Sequence, residues 1–266
     1  MPTDYSAYQH LIVERLEPAI LKITINNPEH LNAISPPIHA EMARIWADVA
    51  ADTETRVVLL TGAGRAFSAG GDVYNMRESW RKRDVHTVMR EAREIVYRML
   101  DTPQPIIALV NGHAVGLGAT IALTCDLVYI AENARIGDRH VNVGLVAGDG
   151  GALIWPLLIG PHRAKQYLMT GELITGAEAA AMGLVNRAVP LDQLEAVGLE
   201  MARQLAALPP LAVQWTKLSI NKLLKLVGNT AFETSIALEG ASMLSEDHYE
   251  AVSAFIEKRP AAFTGR

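Results

Sequence analysis

Ala66-Phe67-Ser68-Ala69-Gly70-Gly71-Asp72 and Asn111-Gly112-His113-Ala114-Val115-Gly116-Leu117-Gly118 are the two stretches on which the fold turns. Each follows a short apolar run, 57–61 and 106–110, with the length and composition of a buried strand. Each precedes a stretch with helical spacing. A glycine loop between strand and helix lets backbone N–H groups approach a ligand at the positive end of the helix dipole. Two such loops can aim two N–H groups at one oxygen, the geometry of an oxyanion hole. A third segment, 136–151 (IGDRHVNVGLVAGDGG), brings the polar side chains.

The pattern continues outward from these loops. Residues 11–16 and 19–26 form two paired strands, and Asn27-Pro28 breaks the chain after them. Residues 36–52 place Ile38, Met42, Ile45, Trp46 and Val49 on one helical face. The spacing predicts one charged amphipathic helix over 79–100, with Val85, Val88, Met89, Ile95, Val96 and Met99 on its apolar side, stopped by Pro103 and Pro105. A helix near 117–124, a strand at 126–131, a helix at 177–183 and a short strand at 184–189 follow. Strands alternating with helices predict an α/β core with largely parallel pairing. After Pro190 the pattern is helical throughout, at 191–207, 209–226, 229–243 and 247–257. Leu218, Leu223, Leu224, Leu226 and Val227 widen the apolar faces beyond those of a surface appendage, so these helices are expected to bury against another subunit. The expected division is a core over 1–195 and a helical oligomerisation region over 196–266.

Composition narrows the function. The chain has 266 residues, 50% hydrophobic and 20% charged, enough for one large domain or a domain with an appendage. A net charge of −5 and a pI near 5.9 argue against a nucleic-acid surface, while leaving room for a basic patch around a small anionic ligand. The single cysteine, Cys125, excludes an intrachain disulfide and a cysteine-based metal cluster. A reducing cytoplasm is the simplest location. No histidine pair has the spacing of a helical zinc site, and the glycine loops lack the Gly-Lys-Ser/Thr of a nucleotide loop, so no metal is expected. The N-terminus lacks the apolar core of a signal peptide. Residues 102–125 carry no formal charge, but two prolines, three glycines and an Asn-Gly turn make them a strand, a loop and a helix rather than a membrane span.

In order and spacing these pieces resemble the crotonase superfamily, also called the enoyl-CoA hydratase/isomerase family. The resemblance covers nearly the whole chain. It begins with Asn27-Pro28, Leu31-Asn32-Ala33, Thr61-Gly62 and the 66–72 loop, then Pro105 through Gly112 and Cys125-Asp126. It continues with Leu168 through Gly171, Ala177, Gly183-Leu184-Val185 and Phe255 through Pro260. The resemblance implies an α/β spiral of β-β-α repeats and a C-terminal helical region that builds trimers, often paired into hexamers as dimers of trimers. It implies an acyl-CoA thioester substrate, with coenzyme A entering as part of that substrate and no separate cofactor. By the same resemblance, the N–H groups of Gly71 and Leu117 hold the thioester oxygen. Asn32 and Ala33, with Ala66, Ser68, Ala69, Gly70 and Asp72, line the pantetheine and adenine path, and Gly116 belongs to the substrate-binding set. Thr120 lines the acyl pocket, and Phe255 and Lys258 reach the coenzyme across a subunit interface. Preorganised donors of this kind stabilise a developing oxyanion by roughly 3–4 kcal/mol each.

The chain departs from the family where the chemistry should be. Hydratases of this family use two glutamates. Counted from Asn111-Gly112, the first position is Thr120 and the second is His140, so both carboxylates are missing. Thr120 is no base near neutral pH, and efficient hydration of straight-chain enoyl-CoA is not expected. His140 and Asp149 stand in the right region, and a histidine oriented by an aspartate can take and return a proton at working pH. A ring-cleaving β-diketone hydrolase branch of the superfamily resembles this segment more closely. It carries a histidine and an aspartate at the same spacing before a Trp-Pro pair, here Trp155-Pro156. It also carries a glutamate on a C-terminal helix near the position of Glu239, and a further histidine where this chain has Leu117.

Each candidate has a plainer reading. His140 reads equally as a loop histidine beside Arg139, Asp149 as a helix cap, and Glu239 as a surface carboxylate near a subunit contact. Asp72 reads as a cap, Asp126 as structural, His113 as packing and His86 as part of a solvated face. Three functions therefore stay open. One is a crotonase-fold enzyme that hydrates, isomerises or hydrolytically cleaves a CoA thioester through His140 and Asp149. Another is a hydrolase of a cyclic β-diketone without CoA, and the last is an acyl-CoA-binding oligomer without turnover.

Overall fold

A computed structural model describes residues 3–83 and 85–266. The main sheet has six strands: β1 (Leu11–Glu17), β2 (Ile20–Ile25), β3 (Val57–Gly62), β5 (Ile106–Val110), β7 (Leu127–Ala131) and β10 (Arg187–Val189), neighbours in that order. Only β1 and β2 pair antiparallel; the remaining neighbours are parallel. Side chains alternate across a strand, and here both faces are buried, which is why β3 and β5 read as continuous apolar runs. Val58, Leu60, Ile106, Ala108 and Val110 face the larger core with helices α1 (Pro36–Ala51), α3 (His86–Asp101) and α4 (Leu117–Thr124). Val57, Leu59, Ile107 and Leu109 face a smaller core closed by α8 (Leu194–Ala206). Gly198 permits that closure, since a Cβ there would lie 2.3 Å from Leu109 Cδ2. Residues 195 and 196 thus sit in the first turn of a helix that packs on its own sheet.

The glycine loops begin with short strands that periodicity does not reveal. After a tight turn, β3, β5 and β7 each continue into a second sheet, as β4 (Ala66–Ser68), β6 (His113–Val115) and β8 (Arg135–Gly137). These three pair in parallel, and β9 (Ile174–Thr175) completes the sheet antiparallel to β8. The turns are crowded, with a Cβ on Gly112 falling 2.1 Å from Arg65 O. Asn111 donates its side-chain amide to Gly62 O and Gly64 O, both at 2.9 Å. The fold is the expected α/β spiral of β-β-α repeats, with helices α5 (Gly151–Ile159), α6 (Pro161–Thr170) and α7 (Gly176–Ala181) following β8.

Two helix expectations are corrected. The single helix over 79–100 is instead α2 (Val73–Lys82) and α3, with Arg83 ending α2 in a left-handed conformation at φ 53°. Residue 84, inside the expected span, lies outside the described residues. Asp72 starts α2 early by accepting the Tyr74 N–H at 2.9 Å, a cap that outweighs the apolar periodicity further on. Conversely, 209–226 and 229–243 are one helix, α9 (Pro210–Ser242), which runs straight through Gly228. Contacts on α3 pin both sides of that glycine: Asn221 donates to Leu100 O at 2.9 Å, and buried Phe232 packs edge-on against Tyr97. Helix α10 (Glu246–Glu257) then stacks Tyr249 on Trp80 of α2. Among the described residues, no helix is long and apolar enough to cross a membrane.

Candidate active site

Because β4, β6 and β8 run parallel, the loops that follow them emerge at one end of the second sheet. The first loop carries Gly71, the second Gly116-Leu117, the third Asp138 and His140. Gly70 C=O accepts the Ile34 N–H at 2.7 Å. A trans peptide points its N–H opposite its C=O, so the Gly71 N–H faces away from Ile34. Gly116 C=O accepts the Thr120 N–H at 3.0 Å as the first bond of α4. By the same geometry, the Leu117 N–H points out of the helix N-terminus, where no intrahelical acceptor exists. Gly71 and Leu117 line one cavity of about 170 Å³.

Backbone contact fixes the distance between the two loops. A Cβ on Gly70, at φ 87°, would lie 2.6 Å from Val115 O, and one on Gly118 would lie 2.7 Å from Ser68 O. Gly116, at φ 54° and ψ −124°, occupies a conformation open to glycine alone and passes directly beneath the His140 ring.

The opposite wall is made of side chains. Asp138 Oδ1 accepts both the His140 backbone N–H, at 3.0 Å, and Nδ1–H, at 2.6 Å. That leaves Nε2 facing Asp149 Oδ2 at 3.3 Å and Glu239 Oε1 at 3.8 Å. Thr120 Oγ1 donates to the other Asp149 oxygen at 2.8 Å. All five residues are buried. The imidazole devotes one ring nitrogen to each aspartate.

Burial splits the protonation states. It disfavours a charged His140, but the charges of Asp138 and Asp149 outweigh it and hold the imidazole well above its ordinary 6.5. It would raise Asp149, but His140 and the Thr120 hydroxyl outweigh it and hold that carboxyl below 3.8. For Glu239 the help from His140 is outweighed. Burial first, then the charge on Asp149, pushes it well above 4.5. Its Oε2 lacks a hydrogen-bond partner among the described residues, as suits a neutral acid better than a carboxylate. Asp149 and Glu239 are thus pushed in opposite directions on either side of one imidazole.

The structure sorts the sequence candidates. Gly71, Leu117, His140, Asp149, Glu239 and Asp72 line the cavity. Thr120 does not; it sits behind Asp149 and orients it. Asn32 is fully buried and faces the fold: its side chain accepts the Asn27 N–H and donates to Ala63 O and Ala66 O. Ser68 holds Asn32 O and the Gly70 N–H, so Asn32, Ala33, Ala66, Ser68 and Ala69 shape the loop from behind. Phe255 and Lys258 are exposed at the end of α10, outside the cavity lining. Asp126 is structural, paired with Lys217 at 2.7 Å. Sequence reading missed Asp138, whose signal was an aspartate two residues before the histidine in a post-strand turn. It also missed His39 and Glu91, joined at 2.7 Å in the cavity wall, because His39 lies on an otherwise apolar helix face.

With this geometry in hand, comparison with known proteins is informative. The family model described as enoyl-CoA hydratase/isomerase matches residues 15–266. A short-chain-enoyl-CoA hydratase of Clostridium acetobutylicum is 34% identical, the match covering 94% of this chain and 95% of that protein. An (E)-benzylidenesuccinyl-CoA hydratase of Thauera aromatica is 36% identical over 91% of this chain and 94% of its own length. The crystal structure of an enoyl-CoA hydratase/isomerase from Mycobacterium paratuberculosis superposes with a TM-score of 0.88 at 38% identity, covering 95% of this chain and 98% of that one.

Proposed function

We propose that this chain, which belongs to the enoyl-CoA hydratase/isomerase family, transforms an α,β-unsaturated acyl thioester of coenzyme A, with Asp149, His140 and Glu239 in place of the family's two glutamates. One observation carries this reading: two outward N–H groups and a split acid–base cluster bound the same cavity. The thioester oxygen accepts from Gly71 and Leu117 as negative charge develops on it. Asp149 takes a proton from water, and the hydroxyl adds to the β-carbon. Glu239 returns a proton to the α-carbon, and His140, oriented by Asp138, stabilises the charge on Asp149 and relays the proton between them. Removal of a γ-proton by the same base and delivery to the α-carbon gives isomerisation without water.

A second reading rests on the position of Glu239 beside the His140–Asp149 pair, 3.8 Å from Nε2. Water adds to the β-carbonyl of a β-keto thioester, the Cα–Cβ bond breaks, and its electron pair enters the thioester enolate held by Gly71 and Leu117. Glu239 then protonates the α-carbon. The remaining parts of the reading are a trimer or a hexamer of paired trimers, a cytoplasmic location and no cofactor beyond coenzyme A. The exposed Trp215, Ile220, Leu223 and Leu226 of α9 support assembly, since one face of a helix rarely exposes so much apolar surface.

The test combines calorimetry with CoA and crotonyl-CoA with mass spectrometry of the products from crotonyl-CoA and a cyclic β-keto acyl-CoA. His140→Gln is assayed in parallel, its fold checked by circular dichroism. Gain of water on crotonyl-CoA that fails in the variant supports hydration, and water-dependent ring opening supports the second reading. Binding with no turnover of either compound makes the protein an acyl-CoA carrier, and failure to bind CoA removes the thioester altogether.

A further inference from the structure

We propose that His39, held by Glu91, recognises a second, neutral oxygen on the acyl group, so that the preferred substrate carries a hydroxyl or keto function besides its thioester. This rests on the thioester reading above. His39 lies in the first turn of α1 and Glu91 on α3, and the two helices pack together over the cavity. The surrounding wall is largely apolar, with Ile34, Met76, Val88, Met89, Ala92 and Met243. Stability alone does not call for an ion-pairing couple there, since well-packed apolar residues do as well or better at such positions.

The hydrogen bonds fix which nitrogen is offered. His39 Nδ1–H donates to Glu91 Oε2 at 2.7 Å, which leaves Nε2 for another partner. Among the described residues Nε2 has no hydrogen-bond partner, and His39 lines the cavity. His248 makes the contrast. Its Nδ1 is bound to Val143 O at 2.6 Å, but its free Nε2 is shut inside the protein, so it serves packing alone. The open nitrogen of His39 accepts from a hydroxyl when the ring is neutral and donates to a carbonyl when it is charged. Charge excludes the third common oxygen function. Glu91, Asp149 and Asp72 outnumber His140 as charged groups in this cavity, and a substrate carboxylate would meet net repulsion.

The test compares crotonyl-CoA, which has no oxygen beyond its thioester, with 4-hydroxycrotonyl-CoA and 4-oxo-2-pentenoyl-CoA. Calorimetric Kd and, where turnover is measurable, kcat/KM are recorded for the native protein, His39→Phe, His39→Gln and Glu91→Gln. An oxygenated acyl group is expected to gain roughly 10–100-fold over crotonyl-CoA, because a polar site left unpaired discriminates strongly against the analogue lacking its partner. His39→Phe should erase that ratio and leave crotonyl-CoA binding intact, and His39→Gln should restore part of it. A ratio near one in the native protein overturns the proposal, as does an equal loss on all compounds in His39→Phe. If none of the thioesters binds the native protein, the thioester reading fails instead, a distinct result.

Discussion

The two walls of the cavity are built by different means. One offers backbone N–H groups, from Gly71 and Leu117, whose positions depend on glycines that let two loops touch. The other offers Asp138, His140, Asp149 and Glu239, whose protonation depends on one another's charge. The first wall has nothing to titrate and responds to steric change. The second tolerates changes of shape poorly and changes of proton activity directly. A fold that keeps the first wall and rebuilds the second keeps its affinity for one kind of developing charge while changing the chemistry done beside it.

The sharpest way to break this contrast is Asp149→Asn. It should lower kcat by about 10²–10⁴ with little change in thioester Kd, because it removes the proposed base and leaves the backbone donors untouched. Stopped-flow and calorimetry read the two quantities, and a loss under about tenfold would place the base elsewhere. On the opposite wall, Gly70→Ala should cost about 10²–10³ in kcat by displacing a donor. The variant should also lose about 1–3 kcal/mol of stability in urea, from a Cβ forced 2.6 Å from Val115 O at φ 87°. Its pH–rate profile should keep the native shape; a shifted limb would mean that the walls are coupled.

Asp138→Asn should be milder, roughly 10–100-fold, since it disorients His140 without removing it. Asp138 helps hold His140 up, so the alkaline limb of the pH–rate profile should move to lower pH in this variant. Asp138 also helps hold Glu239 up, so an unmoved limb would mean that neither group sets it. The smallest effect concerns stability. Glu239 is pushed above 4.5 by burial and by Asp149, so the native fold loses stability as pH rises above that value. Glu239→Gln removes this loss. Its melting temperature should exceed the native one at neutral pH, with the gain vanishing below pH 4.5. Asp149 has the opposite sign: its contribution is present above 3.8 and lost as pH falls through its depressed value.

The same contrast explains what the sequence disclosed. Strand β5 and helix α4 were legible to the residue, because an all-apolar strand and a glycine-capped helix are local features. The two glycine loops that meet at the cavity were legible for the same reason. The second sheet was not, since strands of two or three residues carry no period. Of the acid–base wall, His140, Asp149 and Glu239 were named one at a time, but their meeting depends on how α9 lies across α5 and α3. Asp138 and His39 escaped because an acid in a turn and a histidine on an apolar face look ordinary until the partner across space is known. Two carboxylates appeared to be missing from the chain. Three meet at His140 in the folded site: Asp138 after β8, Asp149 from the loop before α5 and Glu239 from α9.

That last placement has a consequence for how the protein comes into being. Glu239 lies on α9, near the end of a chain made from the other end, and Met243 of the cavity wall follows it. A nascent chain that has emerged only as far as α7 holds both glycine loops and His140, but not its acid. Translation therefore completes the cluster around His140 last, after both glycine loops have been made.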